Sequence, residues 1–506
     1  MIKIITIINI ILLLLLYLKN TLRILYYYQN DNYHYRIYRQ FITYDMKSNV
    51  LPYLLIIFLF FKHTLVLSLL LLIITLVSIF YNHKNHKNPK ITNRLKRYLL
   101  IQFLLLQTII LISIKQISLI KLLIVLNIIY ILISFITSYL SSQLEKIINY
   151  KYLKKAKQKV IKYKPLIIGI TGSCGKTSVK NYIYEALKKD YIIYKSPKSY
   201  NTLKGLTITI NKYLNNYQSI LILEMGLSYK NDIKNITKHF KPNISIITEI
   251  LPSHLQTMKT MDNIIKEKMY VIKNMQPNGL IIINNDNKLI KDNINKYNIY
   301  GNKIIKIGVN NDNDYYAKNI IIKKDGLEFD IMNNENNTSF HISNNTVGRH
   351  NIYNILICYA ILNNFNKKYN NLNELENYEN RLEIKKHNKM IILNDSYNSN
   401  IKGFLSALEI LSLYENKKVL ITPGIVEGGE KAKEQIFLVS KKIIEICDFC
   451  YIIDNKNTPI FREYFEENNY KNYEIKSSFL DAFNDIKNEE ITLLIENDLT
   501  DYYFIK

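Results

Sequence analysis

The chain has no tryptophan and only four cysteines in 506 residues. So few cysteines exclude a disulfide-built scaffold. Cys447-Asp-Phe-Cys450 has zinc-like spacing, but Cys174 and Cys358 are remote and no second pair exists, so core packing is the expected role. Acids are also scarce: 42 Asp and Glu stand against 67 Lys and Arg, a formal charge of +25. That balance suits an anionic partner, whether nucleic acid, phospholipid headgroups or a phosphorylated substrate. Hydrophobic residues make up 48% of the sequence, which excludes a wholly disordered chain. The abundance of Asn, Ile, Lys and Tyr reads as the bias of an AT-rich genome. Runs such as Asn333 to Asn337 are then expected in surface loops.

Charge is nearly absent from long stretches before about residue 140. Apolar runs cover 4–18, 51–61, 64–81, 98–114 and 118–140. A membrane-spanning helix needs roughly 17–25 apolar residues, so three runs reach or approach that length and the runs at 4–18 and 51–61 are short. No small-residue cleavage site follows the first run, and a signal peptide would account for that run alone. Lysine and arginine gather between the runs. Lys19, Arg23, Arg36, Arg39 and Lys47 follow the first, Lys84 to Arg97 forms an acid-free loop, and Lys146 to Lys164 is dense in lysine. The positive-inside rule places all three in the cytoplasm. Five crossings follow, with the N-terminus outside, hairpins at 51–81 and 98–140, and the remainder of a multi-pass plasma-membrane protein in the cytoplasm. Beside apolar spans, basic segments favour membrane lipids over nucleic acid, and no nucleic-acid partner is expected. The organisation expected is transmembrane helices over 1–142 and a basic juxtamembrane linker over 143–164.

After Pro165, short β-rich runs at 166–170, 220–223, 244–248 and 280–283 alternate with amphipathic segments such as 176–188 and 261–275. That alternation predicts a mostly parallel sheet covered on both faces. A second such pattern begins near Asn371, with strands at 390–393, 418–421, 451–453 and 492–495 and helices from about Lys402 and over 433–446. The boundary falls at 365–380, giving domains at 165–370 and 371–506.

Gly169-Ile-Thr-Gly-Ser-Cys-Gly-Lys-Thr177 follows the first of these strands and opens a helix. Backbone N–H groups in such a loop cradle phosphate oxygens, and the helix N-terminus adds partial positive charge. Lys176 can reach the β- and γ-phosphates of a nucleotide and Thr177 can ligate Mg²⁺, while Gly172 and Gly175 allow close backbone approach. The spacing departs from the common GxxxxGK[ST] loop, because Ile170 stands five residues before Gly175.

The segment Thr171-Gly-Ser-Cys-Gly-Lys-Thr-Ser-Val-Lys180 resembles the phosphate loop of the Mur ligases, most of all that of the D-alanyl-D-alanine-adding branch. Further segments resemble the family in the same order. Glu224-Met-Gly226 ends a strand where the family binds Mg²⁺; alone, Glu224 would be an ordinary strand-end acid. His254, in Leu-Pro-Ser-His254, resembles the family's metal-associated histidine, and Lys268 aligns with the lysine that the family carbamylates, with Lys266 close enough to compete. Asn284-Asn-Asp286 and Gly348-Arg-His-Asn351 resemble segments near the adenine. Arg381-Leu-Glu383 resembles the arginine that reaches the γ-phosphate, and Asn394-Asp-Ser-Tyr-Asn-Ser-Asn400 resembles a loop whose acid, Asp395, stands at the nucleotide and acyl-acceptor site. Thr422-Pro-Gly424 and Glu496-Asn-Asp-Leu499 also resemble family segments.

The resemblance covers about 165–506. Together with the apolar runs before it, the fold expected is an N-terminal α-helical transmembrane region followed by α/β, in which the resemblance implies a P-loop central domain with a mostly parallel sheet and then a Rossmann-like α/β C-terminal domain. It implies an ATP-dependent ligase that activates a cell-wall peptide carboxylate as an acyl phosphate and joins it to D-Ala-D-Ala or a similar amine. The catalytic residues implied are Lys176, Lys268, Arg381 and Asp395. Nucleotide contacts fall to Gly172, Ser173, Cys174, Gly175, Lys176, Thr177, Ser178, Asn284, His350, Asn351 and Arg381. Mg²⁺ falls to Thr177, Glu224, His254 and a carbamylated Lys268. Cys174 is read as a small loop filler, not a nucleophile.

The sequence departs from the family in three places. Membrane spans stand where the family's UDP-holding domain is found, Ile401 replaces a usual proline, and Glu249 stands where Asn is common. The competing readings are a ligase for another amino acid on a lipid-linked or polyglutamate acceptor, a membrane-tethered nucleotide-binding scaffold with a decayed centre, and an ATP-driven transporter. Retention of Lys176, Glu224, His254, Lys268 and Arg381 counts against the scaffold, and the C-terminal domain has no role in a transporter.

Overall fold

The computed structural model describes every residue except 1, 31–50, 61–63, 81–88, 114, 199, 254, 379–380, 397–399, 426–431 and 498–506. His254, Arg36, Arg39 and Lys47 of the first basic stretch, Lys84 and Lys87 of the second, and the centre of the Asn394 to Asn400 loop therefore lie outside the described residues, whereas Lys19 and Arg23 lie within the first helix. The chain divides into two compact units, Met1–Lys151 and Tyr152–Lys506.

The first unit is helical. Its apolar runs become the helices Ile2–Asn30, Leu65–Phe80, Asn93–Ser113 and Leu119–Ile128, a 3₁₀ helix Leu51–Leu59, and the start of the helix Tyr130–Tyr163. Leu13, Leu16, Leu55, Leu71 and Ile124 pack inward, whereas Ile4, Ile11, Leu100, Phe103 and Leu111 stay exposed. An apolar surface of that extent suits hydrocarbon, not water, and the unit is a membrane anchor. Two described helices are long and apolar enough to cross, Lys3–Gln29 and Asn93–Ser113, and a third does if the pair Leu119–Ile128 and Tyr130–Tyr163, bent by 68°, counts as one span. Five crossings are expected from the sequence; the two or three helices of spanning length are those among the described residues. Leu65–Phe80 has 16 residues and Leu51–Leu59 has nine in a 3₁₀ helix, short of the roughly 20 that a span needs. The basic stretch 143–164 continues the helix Tyr130–Tyr163 almost to its end.

The second unit contains two sheets. In the first, β1 (Leu166–Thr171), β2 (Ile193–Lys195), β3 (Ile220–Glu224), β4 (Ile244–Ile247), β5 (Leu280–Asn284) and β6 (Lys303–Gly308) are parallel. The meander β7 (Tyr315–Lys323), β8 (Gly326–Asn333) and β9 (Thr338–Asn344) extends it, in the order β2-β3-β1-β4-β5-β6-β7-β8-β9. Strands β3, β4 and β5 are buried along their whole length, as near-continuous Ile and Leu runs covered on both faces must be. The helices Lys176–Leu187 and His350–Asn364 cover one face, while Leu203–Tyr213, Asp232–His239 and Met261–Lys273 cover the other. The Asn-rich run expected in a loop forms the turn between β8 and β9.

The second sheet has the order β10-β11-β15-β12-β13-β14. Its strands are β10 (Glu383–His387), β11 (Met390–Asp395), β12 (Lys417–Thr422), β13 (Phe449–Ile453), β14 (Tyr473–Lys476) and β15 (Ile491–Glu496), all parallel except the β10–β11 hairpin. Cys447 and Cys450 lie in its core. Burial raises both thiols, Cys447 to about 12, so they remain neutral packing groups.

Candidate active site

Strand β1 delivers the chain into the loop Gly172 to Gly175 at the C-terminal edge of the first sheet, where open α/β folds bind ligands. A Cβ on Gly172 would collide with Thr248 Oγ1. Gly175 has φ +78°, in the left-handed region, and a Cβ there would lie 2.7 Å from Asn354 Oδ1. Gly175 is also the N-cap of the helix Lys176–Leu187 and contributes no capping side chain, so the first turn keeps N–H groups available to an anion. Lys176 Nζ folds back onto the Gly172 carbonyl at 2.7 Å.

Glu224 ends β3 beside this loop and is almost fully buried. Thr177 donates its hydroxyl to Glu224 at 3.0 Å, Lys180 Nζ stands 2.9 Å from the same carboxylate, and Asn201 donates from 3.3 Å. Burial opposes ionisation of Glu224, but Lys180 and Lys176 together outweigh it and hold the carboxyl below its usual range. Lys180, one turn after Lys176, is a site residue that sequence reading left without a role. Thr177 and Glu224 form an oxygen donor pair of the kind Mg²⁺ accepts alongside phosphate and water oxygens. Among the described residues no group of three or more His, Cys, Asp or Glu gathers to hold a metal. Lys268 is buried, and burial first, then the charge of Lys176, pushes its amine well below the ordinary lysine value. A neutral amine is the form that can accept CO₂ as a carbamate.

Two cavities meet at this edge. One, of about 260 Å³, is lined by Ser173, Lys176, Thr177, Glu224, Arg381 and Asn497. The other, of about 600 Å³, is lined by Cys174, Gly175, Ser178, His350, Tyr353, Arg381 and Asp395 among others. The second sheet thus contributes Asp395, and the turn before it Arg381, to a cleft whose floor is the phosphate loop. His350 is neutral, lowered to about 4 by burial and then by Arg381. Burial raises the Cys174 thiol to about 11, which fits a filler and not a thiolate nucleophile.

Two expected nucleotide contacts sit behind the cleft wall. Asn351 is buried, donating to the Val347 carbonyl and to Asn377, each at 2.9 Å. Asn284 donates to Glu249 at 3.1 Å. Glu249, the unusual residue at its position, also accepts from Asn287 and from Lys402 at 3.0 Å, so it ties the first sheet to the helix Ile401–Ser412. Asn400 Oδ1 caps that helix, accepting from the N–H groups of Lys402 at 3.1 Å and Gly403 at 3.2 Å, with Ile401 at its first position.

Residues 170–362 match the family model described as the Mur ligase middle domain. The chain is 31% identical over 269 residues to the UDP-N-acetylmuramoyl-tripeptide--D-alanyl-D-alanine ligase of Buchnera aphidicola, covering 52% of this chain and 57% of that protein. It is 27% identical over 341 residues to the UDP-N-acetylmuramoylalanine--D-glutamate ligase of Caldicellulosiruptor bescii, covering 65% of this chain and 69% of that one. The crystal structure of MurF ligase from Thermotoga maritima in complex with ADP superposes with a TM-score of 0.62 at 20% identity, covering 69% of this chain and 80% of that chain. That likeness is one of fold. The chain spans little more than half the length of the Buchnera relative.

Proposed function

We propose, for a chain that carries a Mur ligase middle domain and is related at family level to the Mur ligases, that it is a membrane-anchored, ATP-dependent amide ligase of cell-wall precursor synthesis. Its catalytic unit works in the cytoplasm and adds D-Ala-D-Ala to the carboxylate of a muramoyl peptide. The observation that carries this reading is one cavity lined by both Lys176 and Arg381, a cation from each side of the cleft.

The peptide carboxylate attacks the γ-phosphorus of ATP, ADP leaves, and the amine then displaces phosphate from the acyl phosphate. Transfer of a phosphoryl group relies mostly on positioning and charge neutralisation. Loop N–H groups from Gly172 to Thr177 hold the phosphates, and Lys176 and Arg381 oppose the charge that spreads over the transferred group. Thr177 and Glu224 would hold Mg²⁺, with His254 and a carbamylated Lys268 completing the set. When bound, Mg²⁺ would supply Lewis-acid neutralisation of phosphate charge. Lys180 fixes the Glu224 carboxylate toward Thr177. Because Arg381 and Asp395 come from beyond the first sheet, closure of the cleft assembles the site and shields the acyl phosphate from water.

A second reading keeps the chemistry and changes the donor. The polypeptide before β1 is a membrane anchor joined through the helix Tyr130–Tyr163, which favours a carboxylate carried on a lipid over one carried on UDP. Phosphate release by the full-length protein in detergent, with ATP, D-Ala-D-Ala and either a UDP-linked or a lipid-linked muramoyl peptide, tests both. Release that requires the amine and one donor supports the ligase and identifies the donor. Release indifferent to every amine and donor overturns it.

A further inference from the structure

Strands β11 and β15 are parallel neighbours, and their final residues, Asp395 and Glu496, are register partners 101 positions apart in sequence. Residues in register on adjacent strands present their side chains to the same face, so two carboxyl groups end the sheet side by side. Glu496 is 0% exposed, and neither of its oxygens has a hydrogen-bond donor among the described residues. Asp395 accepts the Leu382 N–H at 3.1 Å and lines the larger cavity. A buried carboxylate with no donor is strongly disfavoured and takes up a proton instead. The Asp395 carboxylate is the acceptor that proton would meet.

We propose that Glu496 is a positioning residue that keeps one proton shared with Asp395, and thereby holds Asp395 as the base that receives a proton from the attacking amine. The proposal rests on the ligase reading above. As the amine nitrogen bonds to the acyl carbon, its N–H bond breaks and the proton passes to Asp395. The acyl C–O bond to phosphate breaks, phosphate leaves with that electron pair, and the proton on Asp395 passes to the departing phosphate, which restores the base.

The surrounding charges agree with this division of labour. Burial, then the neighbouring charge of Asp395, push Glu496 well above the usual carboxylate range. Burial raises Asp395 to about 6, while Arg381, the Leu382 N–H and the acid of Glu496 act to lower it. Arg381 from the turn before β10 and Glu496 from β15 are the charged or titratable groups that act on Asp395, and Asp395 is the one that acts on Glu496. Two such groups titrate as a pair.

The test compares Glu496→Gln and Glu496→Leu in the full-length protein. Gln keeps a donor toward Asp395, and its acid limb of kcat/KM should stay close to that of the wild type. Leu removes the donor, which should move the limb up by about one pH unit, lowering kcat about tenfold on the acid side of both midpoints and only about twofold near pH 7, with KM for ATP unchanged. A limb that stays in place in both variants overturns the proposal. Infrared difference spectroscopy gives a readout that needs no turnover: a protonated-carboxyl stretch at neutral pH, lost in Glu496→Gln. Absence of that band in the wild type also overturns the proposal. A band that behaves as expected in a protein without amine-dependent phosphate release supports the shared proton and removes the ligase reading alone. If the Leu variant does not fold, the Gln spectrum decides.

Discussion

The two units bury polar side chains in different ways. In the membrane unit these are mostly amides and hydroxyls, which bond to backbone carbonyls: Asn9 to Ser68, Asn127 to Leu13, Thr75 to Leu71 and Thr137 to Ile133. Glu145, the one acid among that unit's described residues, is bound by Arg97. In the α/β unit whole charges are buried, each against a counter-charge or backbone N–H groups: Glu224 with Lys180, Glu249 with Lys402, Glu267 on the N–H groups of Asn231 and Ile233. A bilayer makes an uncompensated charge very costly, so an anchor limits itself to short neutral bonds that finish backbone valences. On the proposed reading charge is needed where phosphates arrive, and its desolvation is tolerable because the buried charges are pre-paired. The two units are thus built for different solvents.

The sharpest way to break the comparison is to remove the charge that the α/β unit reserves for its ligand. Lys176→Ala should lower ATP-dependent phosphate release by about 10³-fold, the scale of losing a main stabiliser of transition-state charge. Membrane insertion and the thermal transition should be unchanged. Arg381→Ala should cost about 10²- to 10³-fold by the same argument. The double variant should fall less than the product of the two if, as proposed, both cations oppose charge on one phosphoryl group. Full multiplicativity would mean that the two act on separate events.

A structural charge should behave otherwise. Lys180→Met leaves Glu224 buried without its cation and should destabilise the α/β unit by about 3–5 kcal/mol, measured by denaturant unfolding near neutral pH. The sign with pH follows from linkage. Glu224 is held below its usual range in the folded state, so its contribution is present above the ordinary value of 4.5 and is lost as pH falls through the folded value. The penalty in Lys180→Met should therefore shrink on acidification, as the orphaned carboxyl takes a proton. A penalty independent of pH would assign it to packing.

Sequence reading recovered what is local and missed what only long-range pairing creates. The strand, loop and helix around Lys176 were legible because glycines, a lysine and a hydroxyl at fixed offsets dictate a phosphate cradle. The helices over 261–273 and 432–446 followed from their apolar faces. The meander β7–β9 was missed although β8 carries the period: Leu327, Phe329 and Ile331 are buried with Glu328 and Asp330 between them, whereas in β7 Lys318 and Asn319 before Ile320 to Ile322 break the alternation that marks a strand. The tie between Glu249 and Lys402 joins residues 153 apart, and the register of Asp395 with Glu496 is fixed only when β15 inserts between β11 and β12. No window along the chain contains either. Apolar composition does not say how a run is wound: among the described residues Leu51–Leu59 winds as a 3₁₀ helix and Leu65–Phe80 has 16 residues.

The smallest expected effect sharpens the comparison from the membrane side. Asn127 is fully buried, and its amide donates to the carbonyls of Leu13 and Leu123, each at 3.0 Å, so it joins the helix Leu119–Ile128 to the helix Ile2–Asn30. The Leu13 carbonyl already belongs to a helix, and lipid competes weakly with apolar packing. Asn127→Leu should therefore destabilise the anchor by only about 0.6 kcal/mol, the average measured for such bonds between membrane helices. Unfolding in mixed micelles would report that shift, while phosphate release should be unchanged. A loss of several kcal/mol would show that the anchor depends on its polar contacts as heavily as the α/β unit depends on Lys180. The contrast between the two units would then reduce to the type of polar group each one buries.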